Sequence, residues 1–283
     1  MKRITLLAAT MIFCLAAMAQ KKDTIRIGGM VIVKDGKKGH KSIKIDNRHD
    51  EKRKRSNIST NWGIVDLGFA NYEDKTDYST AGSYLVNRPG YPNIGKSDLK
   101  LRTGKSVNVN VWFFMQRLNL VKHHVNLKYG LGLELNNYRY KSSSALSYKE
   151  GGVVPYTLGT VNTNEPFIFR DSIQFSKNKL ALDYLTVPLM LNFSTHANQR
   201  KGLSMSVGVS AGYLYSQRNK QISDERGKLK NRGDYDMERF KFSYIAELGV
   251  AGIRFYGSYS PKSMYEHSLN IRPYNIGLRF SNW

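Results

Sequence analysis

Cysteine is almost missing from this chain, and the single one, Cys14, falls in an N-terminal segment that reads as an export signal. Lys2 and Arg3 form a basic n-region, Ile4 to Ala16 an apolar h-region, and Ala17-Met18-Ala19 a small-x-small cleavage site before Gln20. Removal of residues 1–19 leaves a chain without thiols, which excludes disulfides, thiolate metal sites and cysteine nucleophiles. Phe13 stands where a lipidation motif needs a small residue, so a lipoprotein anchor is not expected. Beyond the signal no apolar run approaches the ~18 residues of a spanning helix, and no segment carries helical periodicity.

Acidic residues are scarce. Asp and Glu total 22 against 44 Lys and Arg, for a formal net charge of +22. Nucleic acid is a common partner for such a balance, but an exported chain does not routinely meet it. The expected partners are outer-membrane lipid and the phosphates of lipopolysaccharide, with an envelope protein reached through loops, and no nucleic acid.

What the sequence does have is alternation. In Val125-Asn-Leu-Lys-Tyr-Gly-Leu-Gly-Leu-Glu-Leu-Asn136 every odd position is large and apolar, and every even one is glycine, asparagine or charged. Side chains of a strand point to opposite faces in turn, and roughly 9 to 11 residues carry a tilted strand across a bilayer. Eight such stretches are expected: Asn61 to Tyr72, Lys105 to Leu118, Val121 to Tyr140, Lys179 to Phe193, Gly202 to Gln217, Glu238 to Gly249, Gly252 to Ser260 and Pro273 to Ser281. Their links alternate long and short. The expected fold is all-β, an eight-stranded antiparallel up-and-down transmembrane barrel in the outer membrane, with short turns and both termini periplasmic.

One phase of these strands is apolar, as in Val107, Val109 and Val111, or Leu185, Val187, Leu189 and Leu191. The other is small, as in Gly130, Gly132, Ser204, Ser206 and Gly208. A soluble barrel would turn its apolar phase inward and cover the outside with charge. Gly, Ser and Asn suit the crowded interior of a narrow membrane barrel instead. Trp62, Tyr72, Tyr138, Tyr140, Tyr213, Tyr215, Phe240, Tyr259 and Tyr274 fall near strand ends, where interfacial aromatic girdles belong. Pro188 interrupts the fourth strand and is expected to mark a bulge or kink, since proline cannot donate to a ladder.

The domains expected are the signal 1–19, a basic and partly disordered periplasmic extension 20–60, and the barrel 61–283. The extension carries thirteen Lys and Arg against five Asp and Glu, two short β-like runs at Ile25 to Ile27 and Met30 to Val33, and the run Glu51-Lys-Arg-Lys-Arg55. A solvated arm is the plain reading, and a polyanion-binding arm the alternative.

The same phase points Asp66, Lys128, Glu134, Lys241, Glu247, Arg254 and Arg279 into the interior. Charges in a dry lumen are costly unless paired, so an internal ion-pair network that fills the barrel is expected. Eight strands leave room only for side chains, which argues against a diffusion pore. Catalytic, cofactor and metal residues are all expected to be none. His123-His124 would point to opposite faces of a strand, a poor chelate, and His40 and His49 lie in the basic arm. His267 alone falls in an outer loop, where a lipid-modifying enzyme would need a base.

Trp62 to Tyr72, Val107 to Phe114, Gly130 to Tyr138 and Tyr184-Leu-Thr-Val-Pro-Leu-Met-Leu191 resemble the PorT-like outer-membrane β-barrel domain common in Bacteroidetes. The resemblance spans about residues 60 to 283. It implies an eight-stranded barrel, an outer-membrane address and Pro188 as a family feature, but no shared activity; the family takes its name from a member linked to type IX protein secretion. Trp283 departs from it, being out of phase with Ile276, Leu278 and Phe280. The function expected is a non-enzymatic structural or interaction role through outer loops. The alternatives are an accessory of type IX secretion and an outer-leaflet lipid-modifying enzyme.

Overall fold

The computed structural model describes residues 56–281, apart from 142–144, 197–201 and 251, and the backbone of three short strands before them. The chain divides into two units, 1–55 and 56–283. In the first, Thr24–Ile27, Met30–Val33 and Ser42–Ile45 pair as an antiparallel sheet in that order. The expected signal 1–19, the run 51–55 and Trp283 lie outside the described residues.

The second unit is built on eight long strands: β1 (Ile58–Asp74), β2 (Val107–Val121), β3 (Val125–Arg139), β4 (Lys177–Ser194), β5 (Leu203–Ser223), β6 (Phe240–Val250), β7 (Ile253–Tyr259) and β8 (Ile271–Phe280). Every one overlaps a stretch drawn from the sequence. They pair antiparallel in the order β4-β3-β2-β1-β8-β7-β6-β5, and β4 also pairs with β5, so the ladder closes into a ring. The alternating Val, Leu, Ile and aromatic residues suit a pleated, half-buried surface, and closure leaves the ring's strands no open edge.

Several boundaries move. β1 begins at Ile58 rather than Asn61. Val121 ends β2 instead of opening β3, because the chain turns at Lys122 and His123, both with positive φ (45° and 62°) as a type I′ turn requires. Asn119 Oδ1 accepts from the His123 amide at 2.6 Å and holds that turn. β5 runs on to Ser223. At Pro188 the register stays unbroken: the pairing with β3 passes over Val187 and Pro188 and resumes at Leu189 in step. The register shift between β4 and β5 falls at Asp183/Tyr184, where β5 carries the extra residue Tyr215, so the bulge expected at Pro188 does not form there.

Short links, 122–124, 195–202 and 251–252, lie at one end of the ring. The other end carries the links 75–106, 140–176, 224–239 and 260–270. These fold further: Phe167–Arg170 pairs antiparallel with Leu146–Lys149 and parallel with Leu85–Val86, while Gly227–Arg232 extends the sheet from β5.

Candidate functional site

Apolar side chains cover the outside of the ring. Leu67, Phe69, Leu185, Val187, Leu189, Leu191, Met205, Val209, Phe242, Phe255, Ile276 and Phe280 are all exposed, in the phase the sequence indicates. Inside the ring, the side chains fall into three layers.

Nearest the short turns is a charged cluster around Glu247. Its carboxylate accepts from Lys128 Nζ at 2.8 and 2.9 Å, from Arg254 Nη1 at 2.7 Å and from Arg279 Nη1 at 2.6 Å. Arg279 also grips Asp66 with Nε at 2.7 Å and Nη2 at 2.8 Å. Asp66 accepts further bonds from Trp112 Nε1 at 2.7 Å and Asn110 Nδ2 at 3.1 Å. Five elements meet here, since these charges come from β1, β3, β6, β7 and β8. Lys128 and Asp66 are wholly buried, and a buried charge survives only with such partners.

Glu134 and Lys241 form a separate ion pair nearer the long links. Asn136 and Asn275 donate to the same Glu134 oxygen at 3.0 and 3.1 Å. The seven residues expected to form one network are therefore all inside, but as a cluster of five and a pair. Between the two, Tyr256 lies across Gly68 and Gly277, which face each other on β1 and β8. A Cβ on Gly277 would meet the Tyr256 ring at 2.7 Å, so the backbone approach needs glycine. The Tyr256 hydroxyl donates to Asn108. The cavity left beside Trp112, Glu134 and Tyr256 is about 30 Å³, room for little more than a water.

Above these two layers the long links close the ring with a tyrosine-rich cap. Tyr138 and Tyr140, expected in an outer girdle, point inward with Tyr84, Tyr148, Tyr184, Tyr235 and Tyr265 and join Leu99, Leu146, Ile168 and Ile271 in one core. Even-numbered positions of β3 face inward, and both residues obey that phase. The Tyr84 hydroxyl donates to Tyr235 O at 2.8 Å, and Tyr148 and Tyr265 share a bond of 3.0 Å. Burial pushes these phenols well above their ordinary range and keeps them neutral. Trp62, Tyr213, Tyr215, Phe240 and Tyr274 do stand outside, as a girdle requires.

On top of the cap, the hairpin Gly152–Val153 with Asn162–Thr163 leaves Val153, Leu158 and Val161 exposed. Arg88 stacks over Tyr91 at 4.3 Å and over Tyr156 at 5.9 Å, and Arg170 pairs with Asp98 at 2.9 Å. Arg88 thus ties Tyr156 of the hairpin, and Arg170 the Phe167–Arg170 strand, to the first long link. The apolar run Pro166 to Phe169 packs into the cap: Phe167 and Ile168 are buried.

His267 lies in the last long link, with Nδ1 3.0 Å from Asp236 Oδ1. The hydrogen bond to Asp236 raises its pKa above the ordinary imidazole value. The neighbouring Ser268 hydroxyl donates to the other Asp236 oxygen at 2.5 Å, and the amides of His267 and Ser268 reach that same oxygen at 3.2 and 2.9 Å. Asp236 thus clamps the 265–268 turn, and the serine oxygen is bound to the carboxylate rather than to the imidazole. A nucleophile activated by His267 would need the opposite arrangement. His123 and His124 lie in the first short turn, where His124 Nδ1 is 2.8 Å from Ser194 O, and His196 lies in the second short link; His40 and His49 fall outside the described residues. Among the described residues no three His, Cys, Asp or Glu side chains gather as a metal group would.

Among solved structures, the chain is similar to the attachment invasion locus protein Ail of Yersinia pestis, at 10% identity with 78% of this chain and 98% of that one covered and a TM-score of 0.29. A second Ail structure, in complex with the heparin analogue sucrose octasulfate, matches at 12% identity with the same coverage and score. A porin variant of Rh. blastica follows at 9% identity, covering 79% and 99%, with a TM-score of 0.17. At those scores the likenesses carry no inference for this chain. No curated protein matches it. The family described as outer membrane protein beta-barrel domain matches residues 51–270, most of the chain. With an all-β, mostly antiparallel ring coated in apolar side chains, the chain belongs to that outer-membrane β-barrel family, and its place is the outer membrane.

Proposed function

We propose that the ring is the complete eight-stranded up-and-down transmembrane barrel, with short turns and both termini in the periplasm and the cap facing outward. The lumen conducts nothing, and the protein works without catalysis, as a rigid stalk that presents its cap to envelope lipid and to a protein partner. The observation that carries this reading is the cap itself. Links that would be mobile loops on a scaffold share a buried core, and above it Val153, Leu158 and Val161 stand exposed on a hairpin held at Tyr156 by the Arg88 guanidinium and the Arg170 carbonyl. Loops on rigid scaffolds are where binding concentrates, and an exposed apolar patch on an ordered surface marks a contact face.

The clamp on Ser268 supports the non-enzymatic reading over lipid modification. The PorT-like resemblance and an accessory part in secretion fit the same architecture, but no residue of the cap singles them out. Since the exported chain is free of cysteine, orientation is testable with single thiols. Leu158→Cys in intact cells is expected to react with a membrane-impermeant maleimide and Lys122→Cys only after lysis; the reverse pattern would overturn the orientation. A strain carrying His267→Ala is expected to show an unchanged lipid A profile by mass spectrometry.

A further inference from the structure

Cations are lined up across four strands just beyond the aromatic rim. Arg139 on β3 is the cross-strand partner of Lys179 on β4, Lys179 of Lys220 on β5, and Lys220 of Lys230 on Gly227–Arg232. Neighbouring strands are about 4.8 Å apart, so four like charges stand side by side over roughly 15 Å. The next outward-facing row toward the ring pairs Arg218 with Arg232. Like charges directly opposite each other destabilise a sheet, and here the opposition is repeated three times in one row.

Within the chain Asp183 relieves it only in part, from beside Lys220. Asp183 takes Arg218, while Arg139 donates to Ser176 O at 3.1 Å and Lys179 to Asn137 Oδ1 at 2.9 Å. Among the described residues no carboxylate pairs with the four cations of the row. At Lys179 burial first, and then Lys220, Lys177 and Arg139, pull the pKa down to about 8. Burial, then Arg218 and Lys230, lower Lys220 as well. Both lie beyond the aromatic rim and so outside the spanning part of their strands.

Height decides what the row meets. Arg218 and Lys220 are three and five residues beyond the exposed Tyr215, roughly 10 to 17 Å along the strand. A tilt near 40° makes that roughly 8 to 13 Å of height, from which the long cationic side chains reach back to the headgroup zone. Toward the short turns the outer face of β4 and β5 passes through the exposed Tyr215 and Tyr213 and then becomes apolar at Leu185, Val187 and Val209, all exposed and six or more residues below the row. We propose that the Arg139-Lys179-Lys220-Lys230 row is a binding site for a phosphorylated glycolipid of the outer leaflet, its phosphates on the cations and its acyl chains along the wall of β4 and β5. The site rests on the outward orientation of the cap. A soluble polyanion would need the cations but not the wall beneath them.

The test uses the full exported chain in neutral detergent, titrated with bisphosphorylated lipid A, with its dephosphorylated form and with dextran sulfate. The expected result is phosphate-dependent lipid A binding, reduced on the order of a hundredfold by combined Lys179→Gln, Lys220→Gln and Lys230→Gln, at roughly fivefold per charge. Heat-modifiable gel migration shows whether the triple variant folds. Lys230→Gln alone, on the exposed arm, gives the same test with about a fivefold loss. Equal lipid A binding by wild type and variants, or equal binding of dephosphorylated lipid A, overturns the site. Tighter binding of dextran sulfate than of lipid A overturns the glycolipid as its occupant. Labelling of Lys220→Cys from outside intact cells tests the orientation separately, and reaction only after lysis overturns an outer-leaflet ligand while leaving the detergent result standing.

Discussion

Glu247 is the residue on which the interior turns, because it holds Lys128, Arg254 and Arg279 at once. Replacing it by Gln removes the carboxylate that Lys128, Arg254 and Arg279 share, and breaking a buried ion pair costs about 3–5 kcal/mol. Urea unfolding in detergent is expected to show a loss of that order for Glu247→Gln. The same change at the exposed Glu225 should leave stability within about 0.5 kcal/mol. At His267 the bonded Asp236 raises the folded-state pKa, so the contact's contribution is complete below the unfolded imidazole value and fades as pH climbs through the folded one. A histidine NMR titration should find a pKa above the ordinary value, restored to it by Asp236→Asn. At this scale the sequence was highly legible: strict alternation fixes which side Asp66, Lys128 and Glu134 face. It could not say that Glu134 would pair with Lys241 alone, since partner choice depends on how far each residue lies from the turns across five strands.

Among the elements, β3 and β4 were readable because their apolar phase is unbroken, and β1 to β8 all follow from the same rule. Gly227–Arg232 was not. Its sequence, Gly-Lys-Leu-Lys-Asn-Arg, offers one apolar residue in six and reads as a solvated turn. It becomes a strand by adding to the end of β5, a tertiary effect that no local pattern shows. The long third link was equally opaque, because Phe167–Arg170 needs both Leu146–Lys149 and Leu85–Val86 to bury Ile168. Those pairings bury Ile168 without any contribution from the hairpin above them. Deleting residues 152–163 with a short glycine bridge is expected to leave heat-modifiable migration unchanged. Ile168→Asp, which buries an unpaired charge in the cap, is expected to make the long links sensitive to protease while the ring survives.

For the whole molecule, composition and alternation together indicated an outer-membrane barrel, and the family match over residues 51–270 agrees. What they missed is that the links make a second core. The ring holds its charge cluster toward the short-turn end and its tyrosine cap toward the other, an arrangement that supports the proposed non-conducting interior. In planar bilayers it should give no steady conductance. The claim beneath all of this is that odd positions of β4 touch lipid while even ones face a packed interior. Spin labels placed one at a time from Leu185 to Phe193 test it most directly. Collision rates with oxygen should oscillate with a period of two residues, high at 185, 187, 189, 191 and 193 and low between them. Oscillation in the opposite phase, or high accessibility of the odd positions to a water-soluble nickel reagent instead of oxygen, would contradict it.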